Sequence, residues 1–183
     1  MQKLLWQQYN AYHLTHLPPV ELIDWLLDSG SFIKRLKQHS AQLPVVRVLS
    51  QQWQCPPVDE RALLGIRERQ VALVREVLIG SGNDQWMFAR TVFPAATLTG
   101  SERRLAHLKS RSLGSVLFKN PRVLRSDFEL ACIKPGMEWH EKIRQVTNID
   151  KKIVWARRSQ FFIKQKSLLL TEVFLPAINQ LIR

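Results

Sequence analysis

The chain has 183 residues, 45% of them hydrophobic and 23% charged, proportions that exclude a disordered polymer and suit one domain, over residues 1–183, with a core of its own. Its net charge of +12 is lopsided: residues 1–100 carry 10 Lys/Arg against 8 Asp/Glu, and residues 101–183 carry 17 against 7. Such a field attracts polyanions and equally steers a small dianionic substrate, so charge alone does not choose between them.

The N-terminal stretch MQKLLWQQYNAYHLTHLPP has neither an apolar signal core nor a small-residue cleavage site, and no window reaches the roughly 18 apolar residues of a membrane span. A cytoplasmic protein without stable membrane insertion is expected. Beyond Pro18-Pro19, the residues Leu22, Ile23, Leu26 and Leu27 form a helical stripe, and Gly30 stands where a C-terminal cap is expected. Ser31 is placed to cap a second helix in which Phe32, Ile33 and Leu36 face inward and Lys34, Arg35 and Lys37 face water. The two make a helical hairpin over about 20–38, which serves either as a lid or as packing.

The period then changes. LPVVRVLSQQWQ (43–54), VALVREVLIG (71–80) and QWMFARTVFP (85–94) are rich in β-branched and aromatic residues and predict strands, the last two joined by a turn at Ser81-Gly82-Asn83-Asp84. Thr99-Gly100-Ser101-Glu102 has the spacing of a capping box and predicts a short helix. Strands resume at 122–133, 155–164 and 167–176, and the polar stretch 134–152 is an excursion between the first two of these. The sum is α+β: a single antiparallel sheet of about six strands, from 43 to 176, flanked by helices. Cys55 and Cys132 have no C-x-x-C partner and no His at zinc-ligand spacing, so buried reduced thiols and no metal are expected.

Two charged residues interrupt their own strand pattern. Arg75 stands in the row Val71, Leu73, Val77, Ile79, and Glu172 stands in the row Leu168, Leu170, Phe174. A charge on a buried face needs a partner. Either the two pair with each other, or their faces meet solvent, or they form the cationic and carboxylate ends of one pocket. Such a pocket suits a rigid ring acid with a carboxylate at one end and a hydroxyl at the other.

The segments LVREVLIG, ARTVFP, LG-x-x-LF (113–118), WARRS (155–159) and LLLTEVFLPA (168–177) resemble, in order and spacing, those of the chorismate lyase family, and DWLLDSGSFIKRL (24–36) resembles its helical hairpin. The resemblance implies a chorismate lyase-like sheet with an internal ligand site beneath helical flaps. It implies a cofactor-free bacterial enzyme that takes chorismate to pyruvate and 4-hydroxybenzoate early in ubiquinone biosynthesis, working as a monomer without nucleic acid. It assigns the ring carboxylate to Arg75 and the hydroxyl end to Glu172, the latter also the candidate general base or acid. Two further contacts, made largely through main chain, fall on Leu113 and on Phe32, where the family has Met. Arg90, Arg157 and Arg158 are candidates for the substrate's second carboxylate, and His107 and His140 take no role.

Two other classes compete. A non-catalytic aromatic-acid-sensing module of the same fold would keep the pocket and lack chemistry. A nucleic-acid-binding protein would use the basic C-terminal half, with Trp139, Trp155, Phe161 and Phe162 as stacking candidates.

Overall fold

The computed structural model describes residues 4–9 and 16–182. In chain order it runs through a two-residue strand β1 (Gln7–Gln8), helices α1 (Val20–Leu27) and α2 (Phe32–His39), strand β2 (Val45–Gln54), helix α3 (Val58–Leu64), and strands β3 (Ala72–Ser81) and β4 (Asp84–Pro94). Two 3-10 segments, Ala95–Leu98 and Gly100–His107, and the short helix α4 (Gly114–Leu117) lead to β5 (Val123–Arg125) and β6 (Glu129–Ile133). Helix α5 (Glu138–Arg144), strands β7 (Val154–Ile163) and β8 (Lys166–Phe174) and a 3-10 turn at Pro176–Gln180 complete the order. All strands join one antiparallel sheet in the order β1-β6-β7-β8-β4-β3-β2, and β5 also pairs with β7.

The α+β class and the single antiparallel sheet are as expected; the strand count among the described residues is eight rather than about six. One addition, β1, is too short to carry a period. The other arises because the predicted strand at 122–133 is two strands on the same neighbour. At the break, the Gln160 amide donates to the Ser126 side-chain oxygen at 3.0 Å while Ser126 donates its own amide to the Gln160 carbonyl at 2.9 Å. The hydroxyl thus replaces a main-chain acceptor, and the ladder lapses until Glu129.

The β3–β4 turn is tight, with Ser81 paired to Asp84 and Gly82 at φ +56°. Just before it Gly80 sits at a register shift where a Cβ would lie 2.1 Å from the Asp84 carbonyl oxygen, so only glycine fits there. Helix α3 was not anticipated, although Pro57 at its N-cap, Asp59 and Glu60 in its first turn, and Gly65 at φ +63° after its end are ordinary helix signals. The capping box expected at Thr99 is not formed. The Thr99 hydroxyl donates to the Ala96 carbonyl at 3.0 Å, Glu102 is engaged by Ser101 and Lys166, and the segment coils as 3-10 helix.

The sheet has two covered faces. Under the α1–α2 hairpin and the 95–118 segment lie Leu73, Val77, Ala89, Phe93, Phe161, Leu168 and Leu170. The opposite face packs Leu78, Phe88, Ala156 and Val173 against Ile143 of α5 and Ile149, and Val74, Val92 and Leu169 against Leu64 of α3. The 134–152 excursion therefore closes the face away from the hairpin.

Candidate active site

The period-2 alternation aims Arg75, Val77 and Ile79 of β3, Ala89 and Thr91 of β4, and Leu170 and Glu172 of β8 at one cavity beneath the hairpin. Its roof comes from Gly30–Ile33 of the hairpin and from Ser112–Gly114, Leu117 and Phe118 around α4, and its empty volume is about 570 Å³, part of it open to solvent. All four residues singled out in the sequence, Arg75, Glu172, Leu113 and Phe32, line this one space. Val46, Arg125 and Phe161 complete its wall.

Arg75 and Glu172 do not pair with each other. Arg75 pairs with Thr91 on β4, and Glu172 pairs with Ala89 on the other edge of that strand, so two strand spacings and two residues of offset separate them by roughly 12 Å at Cα. Arg75 is 2% exposed. Its Nη2 donates to the carbonyls of Lys109 at 2.6 Å and Arg111 at 3.2 Å, while its buried Nε has no partner. No carboxylate bonds it among the described residues, and burial lowers its pKa. This is a desolvated cation with hydrogen-bonding capacity to spare, and a carboxylate is its natural complement.

Glu172 is 6% exposed and is held differently. Its Oε2 accepts from Nε of Arg157, its neighbour on β7, at 2.7 Å, and from Nη2 of Arg125 at 3.1 Å. Burial pushes this carboxyl up, but the two guanidinium groups outweigh burial and hold it below the usual carboxylate range. It is therefore an ionised acceptor at neutral pH, poorly suited to act as an acid.

Of the three arginines considered for a second carboxylate, Arg90 and Arg158 face the other side of the sheet. Arg90 forms a two-point pair with Glu60 at 2.8 and 2.9 Å and bonds Glu76 at 2.6 Å; Arg158 bonds Glu129 at 2.8 Å and Asp59 at 3.1 Å. Arg157 is on the cavity face but is consumed structurally. Besides Glu172, its Nη1 donates to the carbonyls of Trp25, Leu26 and Asp28, at 3.0, 3.2 and 2.7 Å. It thereby satisfies the C-terminal carbonyls of α1, which ends in extended backbone at Asp28 rather than in the glycine cap expected at Gly30. Gly30 instead donates its amide to the Asp28 side chain at 2.7 Å.

Arg125 is the site residue that the sequence reading missed. It lies in a three-residue strand with no apolar row to interrupt, yet its guanidinium lines the cavity, 4.2 Å from the Phe128 ring centre and 4.7 Å from that of Phe161. It bonds Ser159 at 2.8 Å and the Ser29 carbonyl at 3.3 Å as well as Glu172. Burial is the chief cause that lowers its pKa to about 10. The charge gap in the row of β7, where Arg157 and Ser159 stand among buried apolar residues, was the available signal for such a neighbour.

Leu113 precedes α4, and its carbonyl accepts from the amides of Val116 and Leu117, both at 3.0 Å. Phe32 opens α2 beneath the Ser31 cap, whose side chain accepts from the Lys34 amide at 3.4 Å. The Phe32 ring packs edge-on against Trp25 at 5.8 Å and Phe174 at 5.6 Å. Among the stacking candidates, Trp155 and Phe161 are core and Trp139 packs on Phe88, so they offer no free platform; Phe162 is half-buried. His107 is exposed and His140 is buried outside the cavity, bonded to the Lys152 carbonyl at 3.0 Å. Cys55 is exposed, contrary to expectation, because it follows an edge strand, and Cys132 is half-buried. No group of three or more metal-ligating side chains gathers among the described residues, and no helix there is long and apolar enough to cross a membrane.

Fold and cavity together define an α+β domain, one antiparallel sheet with a cavity beneath its helical hairpin. The same fold occurs in the crystal structure of the effector domain of PhnF from Mycobacterium smegmatis (TM-score 0.56, 12% identity, covering 82% of this chain and 91% of that one). It occurs also in a GntR-family transcriptional regulator from Bacillus cereus (TM-score 0.54, 13% identity, covering 73% and 92%). Within that class the chain belongs to the chorismate lyase family, whose model matches residues 1–182. A relative from Methylococcus capsulatus, named a probable chorismate pyruvate-lyase, is 40% identical over 154 residues, 84% of this chain and 94% of its own.

Proposed function

We propose that the cavity converts chorismate into 4-hydroxybenzoate and pyruvate without metal or organic cofactor. The observation that carries the reading is the pair of opposed ends. Arg75 is a buried cation with no carboxylate partner among the described residues, and across β4 Glu172 is an ionised acceptor bonded on one oxygen by two arginines. The family membership and the relative's name support it.

In this reading Arg75 holds the ring carboxylate and Glu172 accepts from the ring hydroxyl, while main chain at Leu113 and Phe32 closes on the ligand from the two roof segments. The ether C–O bond breaks and its electron pair leaves with the enolpyruvyl oxygen. The proton on the adjacent hydroxyl-bearing carbon departs, and its bonding pair completes the aromatic sextet. A proton returns to the enolpyruvyl methylene to give pyruvate. Aromatisation supplies the driving force, so the protein positions the substrate, excludes water and stabilises the departing charge. Arg125, the remaining cation in the wall, is placed to meet the enolpyruvyl carboxylate.

The test is incubation of the purified protein with chorismate, followed by chromatography for both products, with Arg75→Ala and Glu172→Ala alongside. Product from the wild type that falls sharply in both variants is expected. Tight 4-hydroxybenzoate binding with no turnover would move the chain to the sensing class that the fold also contains.

A further inference from the structure

From Arg103 to Arg122 the chain carries six Lys or Arg residues and no Asp or Glu. All six are exposed, and none joins an ion pair among the described residues. Three of them, Arg104, Arg111 and Lys119, converge on one solvent-open groove with Ser115 and Asn120. The adjoining acid, Glu102, is buried and turned to Ser101 at 2.8 Å and Lys166 at 3.2 Å, so it does not neutralise them.

The groove and the cavity share a wall. Gly114, Leu117 and Phe118 face the cavity, while Ser115, Val116 and Lys119 line the groove. Arg111 belongs to both sides, since its side chain lines the groove and its carbonyl holds Arg75. Like charges gathered without counter-charges repel one another, and a concave site lined by one sign raises the local concentration of oppositely charged solutes. No aromatic side chain lines the groove among the described residues; the neighbouring Phe118, although exposed, packs edge-on against Phe161 at 6.1 Å on the cavity wall. That favours a small anion over a nucleic acid strand.

We propose that the Arg104–Arg111–Lys119 groove is a capture site for the dianionic substrate, gathering it on the outer side of α4 beside the cavity in which it reacts. This rests on the lyase reading above. The groove acts on arrival rather than on chemistry, because none of its side chains reaches the cavity lining.

The experiment is stopped-flow tryptophan fluorescence of the intact chain mixed with chorismate, at increasing sodium chloride, with turnover measured in parallel. It compares the wild type with Arg104→Gln/Lys119→Gln and Arg104→Glu/Lys119→Glu. At low salt the neutralised variant is expected to associate roughly tenfold more slowly than the wild type, and the reversed variant more slowly still. The three rates converge at high salt, with kcat unchanged. Equal rates and equal salt dependence in all three, with turnover intact, would overturn the capture site and leave the lyase reading standing. Salt-steep association that the variants lose, without any turnover by the wild type, would support capture and overturn the lyase reading. Tighter binding of a single-stranded oligonucleotide than of chorismate, lost in the same variants, would give the groove to nucleic acid and overturn the proposal.

Discussion

On the face of the sheet under α3 and α5, Arg90 is bonded by Glu60 at both forks of its guanidinium and by Glu76, to which Lys142 and Ser50 also bond. Burial opposes its charge, but the two carboxylates raise its pKa above the ordinary value. On the face under the hairpin, Arg75 is as deeply buried but has two carbonyls, an unpartnered Nε and a lowered pKa. The same residue type, one strand apart in the same sheet, thus serves two ends. Arg90 is given its counter-charges by the protein and is held structurally, whereas Arg75 is given none among the described residues and, in the proposed reading, takes its counter-charge from the ligand.

That contrast breaks most visibly at Arg90. Arg90→Ala leaves Glu60 buried and uncompensated and is expected to cost about 3–5 kcal/mol of folding free energy, read by urea denaturation, with little change in ligand affinity of the folded protein. Arg75→Met is the converse. Relief of desolvation offsets the two lost carbonyl bonds, so stability stays within about 1 kcal/mol, while 4-hydroxybenzoate binding weakens by about 1.5–3 kcal/mol in titration calorimetry. If Arg75→Met unfolds the protein as readily as Arg90→Ala does, the distinction between the faces is lost.

Glu172 sharpens the comparison from the carboxylate side. Glu172→Gln keeps the shape and is expected to lower kcat/KM roughly 10- to 100-fold, the worth of a charged hydrogen bond. Because its folded pKa is depressed, its ionisation stabilises the fold above the unfolded value, and that contribution is lost as pH falls through the lowered folded one. Melting temperatures taken from neutral pH to below the usual carboxylate range should therefore fall more steeply for the wild type than for Glu172→Gln. The smallest effect is at the roof, where Ser31→Ala removes a long capping bond and should cost about 0.5–1 kcal/mol, measured by thermal unfolding.

Much of this was legible because it is local. The period of 3.6 marked the hairpin, runs of β-branched and aromatic residues marked six segments that contain seven of the eight described strands, and the period of 2 marked the rows that Arg75 and Glu172 interrupt, since side-chain direction follows from a residue's own backbone. Trp25, buried in α1 beside Leu22 and Leu26 where Ile23 had been expected, shows the limit even there, because a wide apolar face leaves its exact centre to the neighbour.

What remained illegible is non-local. That Glu172 answers to Arg157 rather than to Arg75 depends on β8 lying between β7 and β4. That Arg90 and Arg158 leave the cavity depends on which face the hairpin covers, and that α1 needs no glycine cap depends on Arg157 arriving from 129 residues away at Asp28. The sequence by itself determined which residues share a face and which of them are out of place there. Only the tertiary structure decided which charges meet, because a counter-charge is chosen by strand order and register, and these are set by the packing of the whole sheet rather than by any segment of it.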